Sequence, residues 1–134
     1  MITAKDMDDL GIDYYTAPPA PKPTAAMVKE FSRITGQEPN KALYATLIIE
    51  EYKEWMSEYL YGSHEPQLKE LADLVYVIYG YANAKNWDLD EALQRVHANN
   101  VGRCVQPDGT VQRRRDGKII KNFDYPKVDL GDLV

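Results

Sequence analysis

The chain has 134 residues, 44% hydrophobic and 28% charged, with a formal net charge of −5. The length suits one domain with its own core. The acidic balance argues against general affinity for nucleic acid or an anionic membrane, while leaving room for a phosphate-bearing ligand at a local basic site.

The opening "MITAKDMDDLG" has neither the basic end nor the apolar stretch of a signal peptide, so a cytoplasmic location is expected. Residues 1–23 have no clear period, and "APPAPKP" favours an extended, polyproline-like arm. Residues 24–134 are expected to form the domain. "PTAAMVKEFSRITGQ" reads as a short helix, with Thr24 as N-cap, Gly36 as stop, and Met27, Phe31 and Ile34 at helical spacing. "PNKALYATLIIEEYKEWMSEYLYGS" reads as a longer one, capped by Asn40 and ended by Gly62. Leu43, Leu47, Ile48, Trp55 and Tyr59 supply its apolar face.

Ser63 opens a third helix, with Pro66 tolerated in its first turn. From Leu71 to Ala84 it holds one charged residue, Asp73, in a run too short and too charged to span a membrane. Leu71, Ala72, Leu74 and Val75 are therefore expected to be largely buried around that aspartate. "DLDEALQRVHANNVG" is a fourth helix, with Asp88 and Glu91 matching a capping box. Short loops imply antiparallel neighbours. Beyond Cys104, the lone cysteine and a poor candidate for chemistry, "TVQRRRDGKIIKN" places Asp116-Gly117 between two strand-like runs, which predicts a β-hairpin. Phe123–Val134 should lie irregularly along the surface. His97 is expected to be a hydrogen-bonded structural residue and His64 to be exposed.

The chemistry concentrates in carboxylates. Glu51 and Glu54 are three apart on the second helix, and Glu70 and Asp73 three apart on the third, so each pair shares a helix face. Fifteen residues separate Glu54 from Glu70, enough to end one helix, turn and return. If the two helices form an antiparallel hairpin, the pairs face each other. Four such carboxylates repel and are costly to bury, so they are partly protonated, paired with lysine or arginine, or held by a cation. Lys53 and Lys69 are expected to point about a third of a turn away from the acidic rows. A hard divalent cation answers better, magnesium or manganese rather than zinc, and magnesium brings phosphoryl substrates with it. The competing reading is an ordinary solvated helix face.

"EEYKE", followed after fifteen residues by "ELAD", resembles the E-x-x-E…E-x-x-D signature of the all-alpha nucleoside triphosphate pyrophosphohydrolases, the MazG-like and phosphoribosyl-ATP pyrophosphohydrolase-like proteins. "DLVYVIYGYA", "ALQRVHANNVGR" and "RDGKIIKNFDY" resemble further segments of that group, so the likeness covers roughly 41–130. With the elements read above it leads to an all-α fold: a four-helix MazG-like core with a short C-terminal β-hairpin, completed by a second subunit as a homodimer or dimer of dimers, because the third helix is too apolar for three short neighbours to cover. It implies hydrolysis of a nucleoside triphosphate to monophosphate and pyrophosphate. Glu51, Glu54, Glu70 and Asp73 would be metal ligands, Glu50 or Glu51 the general base, and Asn100, Arg103, Lys118 and Lys121 the phosphate-binding set. Arg103 stands where the group usually has lysine, and Gly102 where it has a small hydroxyl residue. Phosphoribosyl-ATP or an alarmone such as ppGpp are alternative substrates, and a catalytically silent nucleotide-binding helical dimer is the reading from another class. One residue among Trp55, Tyr59, Tyr76, Tyr79 and Trp87 is a candidate to stack on a base.

Overall fold

A computed structural model describes residues 9–11, 25–37, 40–122 and 124–134; nearly all of the Pro-rich arm and the expected cap Thr24 lie outside them. The described residues form four helices, α1 (Ala25–Thr35), α2 (Lys41–Tyr61), α3 (His64–Ala84) and α4 (Leu89–Cys104), and a 3₁₀ turn at Gly131–Leu133. None of the helices is long and apolar enough to cross a membrane.

Each helix boundary has a local cause. Gly36, with φ +68°, adopts the left-handed conformation that stops α1. Asn40 Oδ1 accepts from the Leu43 amide at 3.0 Å and starts α2. Asp88 Oδ1 does the same for Glu91 at the start of α4. Only Gly62 and Ser63 separate α2 from α3, so the two helices fold back on each other and make the largest interface in the chain. Gly80 is what lets them approach: a Cβ there would run into the ring of Tyr44, which is buried.

The core consists of Val28, Tyr44, Val77, Tyr79 and Ala82, one residue from each of α1 and α2 and three from the second half of α3. α4 buries no residue. It is held by polar contacts instead. Asp90 accepts from the Ala25 amide at 3.1 Å and from the Tyr79 hydroxyl at 2.9 Å, while Asn83 Nδ2 donates to the Ala25 carbonyl at 3.2 Å. One carboxylate thus satisfies an otherwise orphaned amide at the N-terminus of α1 and fixes α1, α3 and α4 together. Burial and Asp90 push the Tyr79 phenol up to about 12.

Two expectations need correction. The first half of α3 is not enclosed: Leu71, Ala72 and Val75 are exposed and Leu74 is half-buried, because the 11-residue α1 is too short to cover the whole of α3. An apolar groove of about 400 Å³ remains there, lined by Met27, Val28, Leu68, Leu71, Val75 and Tyr79. The predicted β-hairpin is also absent as strands. The turn forms, with Gly117 at φ +87° and the Arg114 amide donating to the Lys118 carbonyl at 2.8 Å, but pairing is limited to one antiparallel bridge, Arg113 to Ile119. Residues 107–118 are all exposed, so no apolar face exists to hold a longer ladder in register.

The last segment docks on α4. Arg95 pairs with Asp132 and Glu91, and Asn99 Nδ2 donates to the Pro126 carbonyl at 2.7 Å. Tyr125 lies against Gly102, where any Cβ would collide with the ring. The glycine that departs from the expected pattern therefore has a packing reason.

Candidate metal centre

α2 and α3 place the acidic pairs opposite each other. One carboxylate oxygen from each of Glu51, Glu70 and Asp73 lies within 4.8 Å of the others, and all three residues are half-buried. Glu54 is more exposed but near enough to act on Glu51. Burial, then Glu54, then Asp73 and Glu70 raise the Glu51 carboxyl to about 7, well above its ordinary value of 4.5. Glu51 Oε2 and Glu70 Oε2 are buried without a hydrogen-bond partner. Buried acceptors left in that condition are costly. An all-oxygen, acceptor-only set with two unmet oxygens is the donor set a hard divalent cation takes. The residues present fit such an ion, with Glu51, Glu70 and Asp73 holding it and Glu54 at the rim.

Lys69 does not point away as expected. Its Nζ lies 2.5 Å from Asp73 Oδ2 and 3.5 Å from Glu70 Oε1. The flexible four-carbon stem bridges the angle between neighbouring rows, and i,i+4 spacing suits the pair. Among the described residues it is the one cation paired with the cluster. Asp73 had a partner that its position in an apolar run concealed.

The remaining candidates are dispersed. Glu50 is exposed, one position round the helix from Glu51, and is not in the carboxylate group. Arg103 Nη2 donates to Asn100 Oδ1 at 3.2 Å across one turn of α4, and Arg103 Nε is buried without a partner. Lys118 and Lys121 are exposed on the C-terminal segment, and neither is paired with the cluster. His64 is exposed as expected, and His97 is exposed as well. Trp55 and Tyr59 stack on each other along α2, 5.7 Å between centroids, and Trp87 packs edge-on against Tyr81.

The model of the phosphoribosyl-ATP pyrophosphohydrolase family matches residues 22–100. The chain belongs to this family. The match runs from before α1 through α4 as far as Asn100, so it includes both acidic pairs and leaves Arg103, Lys118 and Lys121 beyond its end. Family membership makes the chain a pyrophosphohydrolase of the all-alpha, MazG-like superfamily, whose members are typically metal-dependent. No curated protein sequence matches it.

Sequence reasoning missed two contributors to this family scaffold, Asp90 and the Tyr44–Gly80 contact. A lone glycine inside a helical pattern is a signal for close approach and was available. Asp90 gave no such signal, because its partners lie 65 and 11 residues away.

Proposed function

We propose that the protein hydrolyses (deoxy)nucleoside triphosphates to nucleoside monophosphate and pyrophosphate with a divalent cation, magnesium or alternatively manganese. The observation that carries this reading is the convergence of Glu51, Glu70 and Asp73 oxygens within 4.8 Å, two of these residues keeping a buried unpaired oxygen. When bound, the cation polarises the phosphoryl group and offsets its charge. Glu51, Glu70 and Asp73 would hold it, and Glu54, at the rim, would complete the set. Glu51, set among the other carboxylates of the cluster, takes the proton of the attacking water. Glu50, outside the group, is the weaker choice. The water oxygen bonds to phosphorus at the α–β linkage, the bridging P–O bond breaks, and pyrophosphate leaves with the electron pair. Asn100 and Arg103, with Lys118 and Lys121, bind the phosphates.

Phosphoribosyl-ATP is an equally consistent substrate, favoured by the family that the chain matches. In either case the substrate is a nucleotide and the site of action is the cytoplasm. We further propose a homodimer or dimer of dimers, assembled on the exposed face of α3.

A panel of deoxynucleoside and ribonucleoside triphosphates, phosphoribosyl-ATP and ppGpp, with magnesium, tests the reading by resolving monophosphate and pyrophosphate from diphosphate and orthophosphate. Glu70→Gln is expected to reduce turnover at least about a hundred-fold, since losing even an outer partner of a metal ligand typically costs about 10–100-fold. Parental turnover in that variant would place the chemistry elsewhere.

A further inference from the structure

Between α1 and the α2–α3 pair lies a cavity of about 240 Å³. Glu51 and Asp73 line it, and Phe31, Tyr44, Tyr76 and Gln37 supply most of the remaining wall. It is smaller than the ~300–1,000 Å³ of pockets that enclose a whole ligand, so it takes one part of a ligand. Among the described residues no lysine or arginine lines it and two carboxylates do, so the phosphates are not the part inside. The walls suit a flat ring. Phe31 and Tyr76 meet edge to face, 5.7 Å between centroids and 86° between planes, which leaves π-surface uncovered on the pair. Phe31 is exposed despite its size. Tyr44 is fixed against Gly80. Gln37 brings one carbonyl and two N–H donors, and its backbone amide is anchored on Thr35 Oγ1 at 3.4 Å, just past the left-handed Gly36.

We propose that this cavity receives the base of the nucleotide. The ring lies against Phe31 and Tyr76, the Gln37 amide reads its edge, and the phosphate chain emerges beside Glu51 and Asp73. The inference rests on the pyrophosphohydrolase reading above and assigns base selectivity to Phe31 of α1, Gln37 just past its end and Tyr76 of α3, beside the acidic signature. Of the five stacking candidates Trp55, Tyr59, Tyr76, Tyr79 and Trp87, it selects Tyr76.

The test is equilibrium titration of the four α,β-methylene deoxynucleoside triphosphates, and separately of inorganic pyrophosphate, with magnesium, onto the parent, Phe31→Ala, Tyr76→Leu, Gln37→Ala and Glu70→Gln. Stacking on an aromatic side chain contributes enough that Phe31→Ala and Tyr76→Leu should each weaken nucleotide binding on the order of ten-fold. Their affinity for pyrophosphate should stay at the parental value. Gln37→Ala should narrow the spread of affinities among the four bases. Phe31 and Gln37 are not core residues, so these two variants keep the test valid if Tyr76→Leu misfolds. Parental nucleotide affinity and base preference in Phe31→Ala and Gln37→Ala would overturn the inference and leave the metal reading intact. Parental binding of nucleotide and pyrophosphate by Glu70→Gln would overturn the metal reading while the Phe31 result still decides the cavity. A parent that binds none of the four nucleotides overturns the inference and the deoxynucleoside triphosphate reading.

Discussion

Both halves of α3 carry apolar residues at helical spacing, and the two lie in opposite environments. In the second half, Val77, Tyr79 and Ala82 are 8%, 7% and 5% exposed. In the first half, Leu68, Leu71 and Val75 are 68%, 42% and 50% exposed, and Glu70 and Asp73 lie among them. The second half is enclosed by Tyr44, α1 and the Asp90 contacts; its role is to hold the helices together. The first half carries the carboxylates and an apolar face that nothing among the described residues covers. Apolar sequence thus marks surface to be removed from water without saying what removes it. The enclosed half fixes the position of the reactive half, and the experiments below probe that division of labour.

The largest expected effect comes from disturbing the enclosed half at Gly80. A Cβ at this position meets three atoms of the Tyr44 ring, and Tyr44 is too buried to move aside. Gly80→Val adds a β-branched side chain without the helix propensity that alanine would return. Overpacking of this kind should lower stability by about 3 kcal/mol. Thermal unfolding should show a drop of roughly 10 °C for a domain of this size. An unchanged melting temperature would mean that α2 and α3 are not in close contact at Gly80.

Tyr79 gives a smaller effect with a pH signature. Its phenol is raised to about 12 in the fold, by burial and by Asp90, from an ordinary 10.0. An acid whose folded pKa is raised keeps its proton longer in the folded state, so its stabilising contribution is complete below about pH 10 and is lost as pH rises toward about 12. Tyr79→Phe should cost about 1 kcal/mol at neutral pH through loss of the bond to Asp90. The difference in melting temperature between parent and variant should then shrink as pH rises through that window. A constant difference would remove Asp90 as the partner of Tyr79.

The exposed half responds differently. Leu71→Lys with Val75→Lys adds charge where each side chain already meets solvent, so the isolated chain should change in stability by less than about 0.5 kcal/mol per substitution. If a second copy covers this face, the double variant should remain monomeric by light scattering at concentrations where the parent is a dimer. A parent that is itself monomeric would leave the groove with another role.

How much of this was legible beforehand follows from the range of the forces involved. The helix boundaries were readable because caps and glycine stops are local: Asn40, Asp88 and Gly36 act within three residues. The acidic pairs were readable because i,i+3 spacing and a two-residue link put them on facing helices. The first half of α3 is left uncovered by the described residues of the single chain because α1 does not extend over it, a tertiary matter that periodicity does not encode. The hairpin was half readable: Asp116-Gly117 fixes the turn, but strands need a surface to pack on, and Arg113, Arg114 and Arg115 provide none. Lys69 was misplaced because a helical wheel tracks Cβ directions, while a lysine stem reaches to the next row.

The smallest expected effect on stability concerns Asp73 itself. Its carboxylate is about one-third exposed, paired with Lys69, and close to Glu51, where it helps to raise the carboxyl. The Lys69 pair is largely solvent-exposed and should contribute about 0–1 kcal/mol. Against that stand the repulsion from Glu51 and the desolvation of the charge, both of which a leucine would remove. These effects are of similar size and opposite sign, so Asp73→Leu should fold and melt close to the parent in metal-free buffer, within about 1 kcal/mol. Magnesium should stabilise the parent and leave the variant unmoved, because the substitution removes a ligand without disturbing the scaffold. Two outcomes would each break the comparison drawn from α3. A variant that unfolds in metal-free buffer would make Asp73 part of the enclosed, structural half. A variant that gains parental stabilisation from magnesium would take Asp73 out of the carboxylate site.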